Sequence, residues 1–517
     1  MTDTERDGEL IESLELADEA ATEALARWLA SYSEAGDFIA LTGDLGAGKT
    51  AFARAFLRAL NGDPDLEVPS PTFTLIQTYD GPGYPIVHAD FYRLRGPDEL
   101  IQLGWDETID GAVALVEWPE RAASALPSDR LEISMRFDAA QGDAFRRAEL
   151  IAHGAAAGRF ARARAIEQLL SAGGWSDAER EPLHGDASGR AYERLRRDDG
   201  GTAVLMIAPP RPLGAVLRFG KTYPEIARLS LDIRAFLAVA EGLRAQGYST
   251  PEIYAYRIRD GLALIEDFGD ETIVGNEGPL ASRYMEAAAL LSDLHGRRLP
   301  SELWLDGEPY MIPVYDIEAM LIEVELALDR YAPAVALGAP SSGARMQFLG
   351  LWRDVLTPLL AEPTTWTLRD FHSPNLHWLD QRRGLKRLGL IDFQDAVLGP
   401  PAYDVASLLQ DARVDLHEEI ELRCMAQYVR SRAAADREFD IDAFSAAYAK
   451  MGAQRATKIL GIFTRLDRRD GKPQYLRRLP SIERALARNL AHPDLLPLRR
   501  WFETHLPRAL GGAASAG

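Results

Sequence analysis

Residues 43–50 read Gly-Asp-Leu-Gly-Ala-Gly-Lys-Thr, and this spacing of glycine, lysine and threonine is that of a loop that closes around a triphosphate. Glycine lets backbone N–H groups approach the phosphates without a side chain in between. Lys49 is expected to reach the β and γ oxygens, and the Thr50 hydroxyl to bind Mg²⁺. All eight residues are candidates for contact with the nucleotide: Gly43, Asp44, Leu45, Gly46, Ala47, Gly48, Lys49 and Thr50.

The residues around this loop favour the context that it needs, a buried strand before it and a helix after it. Residues 38–41 form a short apolar run, and residues 50–60 have apolar side chains at helical spacing. Five later runs also read as strands: residues 72–76, 86–88, 112–116, 131–137 and 148–152. With a helix predicted over residues 16–31, this alternation indicates an α/β P-loop NTPase domain.

Polar residues at the ends of these runs could complete an ATP-hydrolysing site. Glu117 ends an apolar run, where a carboxylate that holds Mg²⁺ would lie, and Asp90 follows another run in the same way. Residues 70–73 could form a switch loop with hydroxyls near the γ-phosphate. Thr50 and Glu117 are therefore candidate metal ligands, and hydrolysis needs a further group that orients the attacking water.

Five segments recur in a fixed order: residues 43–50, 70–73, 88–93, 103–107 and 117–118. In this order they resemble the TsaE family, the ATPase subunit of the bacterial machinery that makes threonylcarbamoyladenosine in tRNA, over about residues 10–155. The resemblance implies that Lys49 and Thr50 contact phosphate and Mg²⁺. It also implies that Glu117 is the Mg²⁺-associated carboxylate and Asp90 a catalytic residue. The implied partner is a heterodimer of TsaB- and TsaD-type proteins, which ATP turnover resets.

A small-molecule kinase built on the same loop is the alternative for this first segment. Such kinases need an acceptor pocket and a lid, and a segment this short leaves little room for either. A fragment of residues 1–160 that phosphorylates a metabolite faster than it hydrolyses ATP would favour the alternative.

A second and unrelated set of candidate residues lies in the last third of the chain. Asp370 is followed five residues later by Asn375, and an apolar run at residues 388–391 leads into Asp392. In kinase-type sites such an Asp accepts the proton of the substrate hydroxyl, while the Asn and the second Asp hold Mg²⁺. This pattern predicts a phosphotransferase with Asp370 as catalytic base and with Asn375 and Asp392 as metal ligands.

Earlier segments supply what such a site needs for its nucleotide. Residues 185–192 resemble a loop that covers phosphates, with Ser188 and Arg190 as candidate contacts. Residues 262–270 look like a hinge, where the backbone at Glu266 would meet adenine. ATP and Mg²⁺ are therefore the expected cofactors of both segments.

Four motifs carry a further resemblance: Asp-Phe-His-Ser-Pro-Asn-Leu at 370–376, Ile-Asp-Phe-Gln-Asp-Ala at 391–396, Gly-Pro-Pro-Ala-Tyr-Asp at 399–404 and Arg-Arg-Asp-Gly-Lys-Pro at 468–473. They make residues 165–510 similar to the aminoglycoside-phosphotransferase-like superfamily, of α+β protein-kinase-like fold, and within it to the AmgK-type amino-sugar kinases. The resemblance implies ATP as donor and the anomeric hydroxyl of N-acetylmuramate or N-acetylglucosamine as acceptor. The product would be a sugar 1-phosphate for cell-wall sugar salvage.

Two positions depart from the superfamily pattern. Leu368 stands where a loop-bracing histidine is usual, and Met206 stands where a strand usually carries an ATP-binding lysine. The negative charge of the phosphates would then be neutralised by a different residue, Arg190 or Lys221. Asp404 matches a residue that braces the catalytic loop in the superfamily.

The acceptor leaves alternatives open. The basic cluster at residues 465–472 reads either as a solvated helix end or as a grip on the carboxylate of an acidic sugar. The arginine-rich stretch 465–500 disfavours a polycationic acceptor. A choline- or aminoglycoside-type kinase, or a catalytically inert interaction module, remains an alternative for the second segment.

Length and composition bound the organisation. The 517 residues suggest two to four domains. A small-residue stretch at 153–158 marks the predicted boundary between an ATPase domain, residues 1–158, and a kinase domain, residues 165–510. The kinase domain is predicted to have an N-lobe over about 165–275 and a helical C-lobe over about 276–510.

Charge and cysteine content exclude several classes of protein. The formal net charge of −20 argues against a broad nucleic-acid-binding or anionic-membrane surface. The single cysteine, Cys424, cannot form a disulfide within the chain, which fits a reducing compartment. The sequence contains no apolar run of about 18 residues, so no membrane span is predicted. The acidic N-terminus does not read as a signal peptide. These features predict a soluble, cytoplasmic protein without direct nucleic-acid binding.

Overall fold

A computed structural model describes the chain in six ranges: residues 8–81, 83–138, 140–183, 189–335, 339–361 and 364–511. The chain divides into two compact units, residues 1–170 and 171–517. Among the described residues, no helix has both the length and the apolar character needed to cross a membrane.

The first unit is built on one sheet, whose strands within the described ranges are β1 (Glu9–Leu16), β2 (Phe38–Thr42), β3 (Ile76–Asp80), β4 (Pro85–Asp90), β5 (Val113–Glu117), β6 (Arg130–Phe137) and β7 (Arg146–His153). Their order is β1-β7-β6-β2-β5-β4-β3. The central strands β6, β2, β5 and β4 are parallel, and antiparallel strands flank them on both sides. The carboxyl ends of β2, β4 and β5 therefore meet at one edge of the sheet, where α/β proteins bind ligands.

Helices cover both faces of this sheet: α1 (Glu19–Tyr32), α2 (Lys49–Asn61), α3 (Asp98–Gln102), α4 (Trp105–Ile109) and α5 (Ala155–Ala172). The apolar faces of α1 and α2 bury side chains such as Leu29 and Phe52 on one side of the sheet. Phe91 and Trp105 pack on the other side. Burial on both faces explains why β2, β4 and β5 read as continuous apolar runs. The α/β P-loop fold predicted from the motif is confirmed.

The structure corrects one predicted strand and adds another. Residues 72–74, predicted as the start of a strand, form a turn, and β3 begins only at Ile76. The reason is local, because Leu75 has a left-handed backbone (φ 65°) and its N–H donates to the Pro71 carbonyl at 2.7 Å. The added strand, β1, is acidic and half exposed, so it lacks the apolar run that marks the central strands.

The second unit begins with an antiparallel sheet in the order β13-β14-β10-β9-β8. The elements of this N-terminal part are β8 (Glu179–Leu183), β9 (Ala191–Arg196), β10 (Thr202–Ile207), β11 (Val216–Arg218), β12 (Lys221–Thr222), α6 (Tyr223–Ile226), α7 (Arg234–Ala245), β13 (Ile253–Arg257) and β14 (Leu262–Glu266). The N-terminal part of the second unit is thus built on one antiparallel sheet.

The rest of the second unit is largely helical. Its helices in the described ranges are α8 (Ala281–Gly296), α9 (Ile317–Leu326), α10 (Ala332–Val335), α11 (Ser342–Leu356), α12 (Ala402–Leu409), α13 (Glu418–Ala435), α14 (Ile441–Asp470), α15 (Leu479–Asn489) and α16 (Leu496–His505). They pack around a continuous apolar core. The predicted α+β kinase-like fold is confirmed.

Short strand pairs position the loop that carries the candidate base Asp370. They are β15 (Val274–Gly275), β16 (Gly278–Pro279), β17 (Glu302–Leu305), β18 (Glu308–Met311), β19 (Thr365–Thr367), β20 (Leu376–Trp378), β21 (Leu388–Leu390) and β22 (Val397–Gly399). Asp370 follows β19, Asn375 precedes β20, and Asp392 follows β21. Because β19 pairs with β22 and β20 with β21, the three residues emerge at neighbouring strand ends.

Candidate active sites

The phosphate loop connects the carboxyl end of β2 to α2. Lys49 is buried, and its Nζ donates to the carbonyls of Gly43 at 2.6 Å and Asp44 at 2.9 Å. Its ammonium also lies 3.8 Å from the centre of the Trp118 ring. Gly43 has φ 138°, and a Cβ there would lie 2.2 Å from the Met135 carbonyl oxygen, so only glycine fits this part of the loop.

The eight loop residues contribute in different ways. Burial lowers the pKa of Lys49, although the neighbouring carboxylates of Glu117, Glu120 and Asp90 oppose the effect. Leu45 is 82% exposed, so its side chain adds little to the site.

Glu117 lies at the centre of the first site. Its Oε2 accepts a hydrogen bond of 3.0 Å from the Thr50 hydroxyl, and its Oε1 lies 3.1 Å from His88 Nε2. Glu117 and His88 are both buried. The loop threonine and the carboxylate at the end of β5 are therefore joined, as two ligands of one Mg²⁺ ion would need to be.

Asp90 lies beside Glu117 across the β4–β5 pair. Its Oδ2 accepts hydrogen bonds from Ser70 at 3.2 Å and Thr72 at 2.8 Å, and its Oδ1 accepts one from the Tyr92 N–H at 2.9 Å. The turn that replaces the predicted strand thus carries two hydroxyls to Asp90. The segment read as a switch loop meets one of the two candidate carboxylates.

Arg146, at the start of β7, is a contact of the phosphate loop that the sequence did not reveal. Its guanidinium donates to the carbonyls of Ala47 and Gly46, both at 3.1 Å. These contacts tie the tip of the phosphate loop to a strand about 100 residues later. Nothing in the sequence around Arg146 marks it, because its role depends on the antiparallel pairing of β6 and β7.

In the second unit, a cleft of about 1640 Å³ lies against the sheet and the helical part. The predicted residues that line it are Arg190, Glu266, Asp370, Asn375 and Asp392. The structure therefore brings all five together. Ser188 lies outside the described residues.

Asp404 fixes the backbone that carries the candidate base. Its buried carboxylate accepts the N–H of Leu368 at 2.6 Å and the N–H of Arg369 at 2.8 Å. Arg369 has φ 67°, which is unfavourable for a residue with a side chain and persists only where its surroundings hold it. Leu368, which stands where a histidine was expected, is buried. The loop is braced at this position by the hydrogen bond from the Leu368 N–H to Asp404, not by a side chain.

The two candidate metal ligands are in contact. Asn375 Nδ2 donates to the Asp370 carbonyl at 2.9 Å and lies 3.4 Å from Asp392 Oδ2. Asp392 Oδ1 accepts from Arg190 at 2.9 Å and from Gln394 at 2.7 Å. Burial, together with the nearby Asp370 carboxylate, raises the pKa of Asp392 to about 6.

The pKa of Asp370 is shifted in the opposite direction, downward. Burial alone would raise the pKa of Asp370, but the basic groups around it, His372 first and then Lys458 and Arg369, hold that pKa below its ordinary value. Asp370 is therefore a carboxylate at neutral pH, as a proton acceptor must be. His372 is buried, and its Nε2 lies 3.1 Å from the Arg413 guanidinium.

A buried ionic cluster lies behind Asp370. Glu323 on α9 accepts hydrogen bonds from four side chains: Arg369, Lys458, Tyr315 and Gln454. The Arg369 guanidinium also donates to the carbonyl of Ala227 at 3.1 Å. Sequence reasoning missed Glu323, because its partners are 8 to 135 residues away and only the fold brings them together.

On the sheet side, the cleft is lined by residues of β10, β14 and the segment predicted to be a hinge. Met206 is buried and lines the cleft at the position where a lysine was expected. Glu266 lines it at the end of β14, while its side chain bonds Arg382. Of the two cations predicted to replace the lysine, Arg190 lines the cleft and Lys221 is exposed outside it.

Comparison with known proteins gives the same division. Residues 16–147 match the family described as threonylcarbamoyl adenosine biosynthesis protein TsaE, and residues 179–440 match the phosphotransferase enzyme family. An N-acetylmuramate/N-acetylglucosamine kinase of Caulobacter vibrioides is 35% identical over 354 residues, 66% of this chain and 95% of that protein. A protein of the same name from Neisseria meningitidis serogroup B is 31% identical, over 60% of this chain and 86% of that protein. A tRNA threonylcarbamoyladenosine biosynthesis protein TsaE of Rickettsia conorii is 38% identical over 120 residues, 23% of this chain and 68% of that protein.

Proposed function

The chain belongs to the TsaE family in its first part and to the phosphotransferase enzyme family in its second, and from this we propose that it is a bifunctional enzyme. The first part, about residues 1–158, is an ATPase that supports threonylcarbamoyladenosine modification of tRNA. The second, about residues 165–510, transfers phosphate from ATP to the anomeric hydroxyl of N-acetylmuramate or N-acetylglucosamine. The product is a sugar 1-phosphate for cell-wall sugar salvage.

The observation that carries the kinase assignment is the convergence of Asp370, Asn375 and Asp392 in one cleft. Their carboxylate and amide groups are the oxygen donors that Mg²⁺ prefers. We assign Asn375 and Asp392 as the metal ligands of the second site. When bound, Mg²⁺ would neutralise charge on the phosphate oxygens.

The residues of the chain account for the rest of the reaction. Asp370 accepts the proton of the sugar hydroxyl as that oxygen bonds to the γ-phosphorus and ADP leaves. Asp404 holds the loop in position for this transfer through two backbone hydrogen bonds. Arg190 supplies positive charge beside the phosphates, and the backbone at Glu266 receives adenine.

The first site has a fitting set of groups for Mg²⁺–ATP. Thr50 and Glu117 provide oxygen donors that are already in contact, and Gly43 gives the loop a backbone conformation and a close approach to the Met135 carbonyl that a residue with a Cβ could not have. Residues 43–50 hold the phosphates, with Lys49 on the β and γ oxygens. Asp90 is the residue that we assign to orienting the attacking water. The partner proposed for this part is a TsaB/TsaD-type pair, and ATP turnover resets that complex.

Paired variants of the full chain test both assignments. Asp370→Asn should abolish ADP release that depends on N-acetylmuramate or N-acetylglucosamine while leaving sugar-independent ATP hydrolysis intact. Lys49→Ala should do the reverse, with hydrolysis measured in the presence of a TsaB/TsaD-type pair. Choline and kanamycin serve as acceptor controls. Full sugar-dependent turnover by Asp370→Asn would refute the base assignment, and turnover of choline or kanamycin in place of the sugars would refute the acceptor.

A further inference from the structure

One side of the cleft carries a stripe of residues from α14: Lys458, Ile462, Arg465, Leu466 and Arg469. Their spacing of three and four places them on one face of the helix. The stripe combines two apolar side chains with three cations. Ligand pockets typically pair an apolar lining with a few placed polar groups, so this face fits an acceptor that is partly apolar and partly anionic.

The stripe begins close to the candidate base. Lys458 Nζ lies 2.9 Å from Glu323, which also bonds Arg369, the residue next to Asp370. Lys458 shares this one carboxylate with Arg369, so its ammonium is held against α9. At about 1.5 Å per residue, Arg465 lies about 10 Å and Arg469 about 16 Å farther along the helix axis.

This distance suits a substituent of the sugar rather than its reacting hydroxyl. With bonds of about 1.5 Å, the path from the anomeric oxygen to a lactyl carboxylate is about 9 Å when extended. Helical side chains lean toward the N-terminus of their helix, so the Arg465 side chain leans back toward Lys458. The guanidinium of Arg465 is thus in range of a carboxylate on an acceptor that is bound at Asp370.

Two acidic residues, Glu325 at the end of α9 and Asp329 on the helical turn that follows it, also line the cleft. Arg218 and Arg345 both bond Glu325, at 2.6 and 2.9 Å, and Arg345 also bonds Asp329 at 2.7 Å. These cations are neutralised by acids that line the same cleft. Among the described residues that line it, eleven are lysine or arginine and ten are aspartate or glutamate, although the whole chain carries a net charge of −20. The lining of the cleft is therefore close to neutral and lacks the excess of negative charge of the whole chain, so it does not repel an anionic substrate as a strongly acidic lining would.

We propose that Arg465, assisted by Arg469, binds the lactyl carboxylate of N-acetylmuramate and so sets the preference between the two sugars. The inference rests on the proposed kinase function. N-Acetylglucosamine has the same reacting hydroxyl and lacks this carboxylate. A planar guanidinium can hold a carboxylate through two parallel hydrogen bonds, which an ammonium cannot do.

The test compares the two sugars in steady-state kinetics of the full chain. Arg465→Ala should raise KM for N-acetylmuramate about 10- to 100-fold, as expected for loss of a charge-assisted bond, and leave KM for N-acetylglucosamine unchanged. Arg465→Lys should recover only part of the loss. The matched control is Arg468→Ala, which removes the same charge from an exposed position of α14 outside the cleft.

Activity on N-acetylglucosamine reports the folding of each variant. An equal change of KM for both sugars, a change of KM for ATP alone, or no change at all would overturn the carboxylate site. If the unaltered chain phosphorylates neither sugar, the proposed kinase function itself fails and this inference fails with it.

Discussion

Replacing Glu323 by Gln removes the negative charge from the buried cluster behind Asp370 and keeps the size of the side chain. Glu323 is fully buried, Arg369 is 1% exposed, and both Arg369 and Lys458 are bonded to its carboxylate. After the change, two cations face a neutral amide in a site with little access to water. Removing one partner of a buried ion pair costs about 3–5 kcal/mol, so we expect a loss of this size in the free energy of unfolding.

Glu325→Gln is the matched control, two residues later on the same helix. Glu325 also bonds two arginines, Arg218 and Arg345, but their side chains are 32% and 35% exposed. Water can replace the lost partner of such cations. We therefore expect a loss of about 1 kcal/mol or less.

The buried thiol of Cys424 supplies the assay. It belongs to the core of the second unit, so its labelling in increasing urea reports the unfolding of that unit separately from the first. With a urea dependence of about 3 kcal/mol per M, a loss of 3–5 kcal/mol lowers the midpoint by about 1–1.7 M. If Glu323→Gln lowers the midpoint no further than Glu325→Gln does, then the charge of Glu323 does not hold the cluster together and the reasoning is wrong.

Three further outcomes follow from single contacts. Gly43→Ala places a Cβ 2.2 Å from the Met135 carbonyl oxygen, so sugar-independent ATP hydrolysis should fall at least about 10-fold while sugar phosphorylation persists. An equal loss of both activities would contradict two separate sites. Asp404→Ala removes the acceptor of two backbone hydrogen bonds, which are worth about 3 kcal/mol together. The kcat for sugar phosphorylation should therefore fall about 100-fold with little change in KM for ATP, and an unchanged kcat would exclude a positioning role for Asp404. Burial raises the pKa of Cys424 to about 11, so the thiol is protonated at pH 8 and should react with Ellman's reagent only after denaturation; rapid reaction of the native chain would contradict its burial.

The parts of the two sites that are local in sequence were predictable. The phosphate loop is one continuous segment, and its glycines report a backbone requirement that holds wherever the loop occurs. Asp370 and Asn375 share one short loop, and Asp392 directly follows the apolar run that contains β21. Their spacing in the sequence was therefore enough to predict a kinase-type site. Apolar runs marked β2, β4 and β5 because both faces of a parallel sheet are buried.

Local patterns failed where turn geometry or edge position decided the structure. The apolar and β-branched residues from 72 to 76 favoured a strand, yet the bond from Leu75 to the Pro71 carbonyl closes a turn. That turn brings Thr72 to Asp90. β1 was missed because an edge strand with one face in water does not need an apolar run.

The sequence by itself determined the two kinds of nucleotide chemistry, since each depends on residues a few positions apart whose backbone geometry is fixed by short-range sterics. Only the tertiary structure decided which distant side chains serve them. Arg146 reaches the phosphate loop, Glu323 binds two cations behind Asp370, and Arg465 lines the same cleft as Asp370. These roles arise from burial and charge pairing between elements far apart in the chain, and such contacts exist only once the strands and helices have packed.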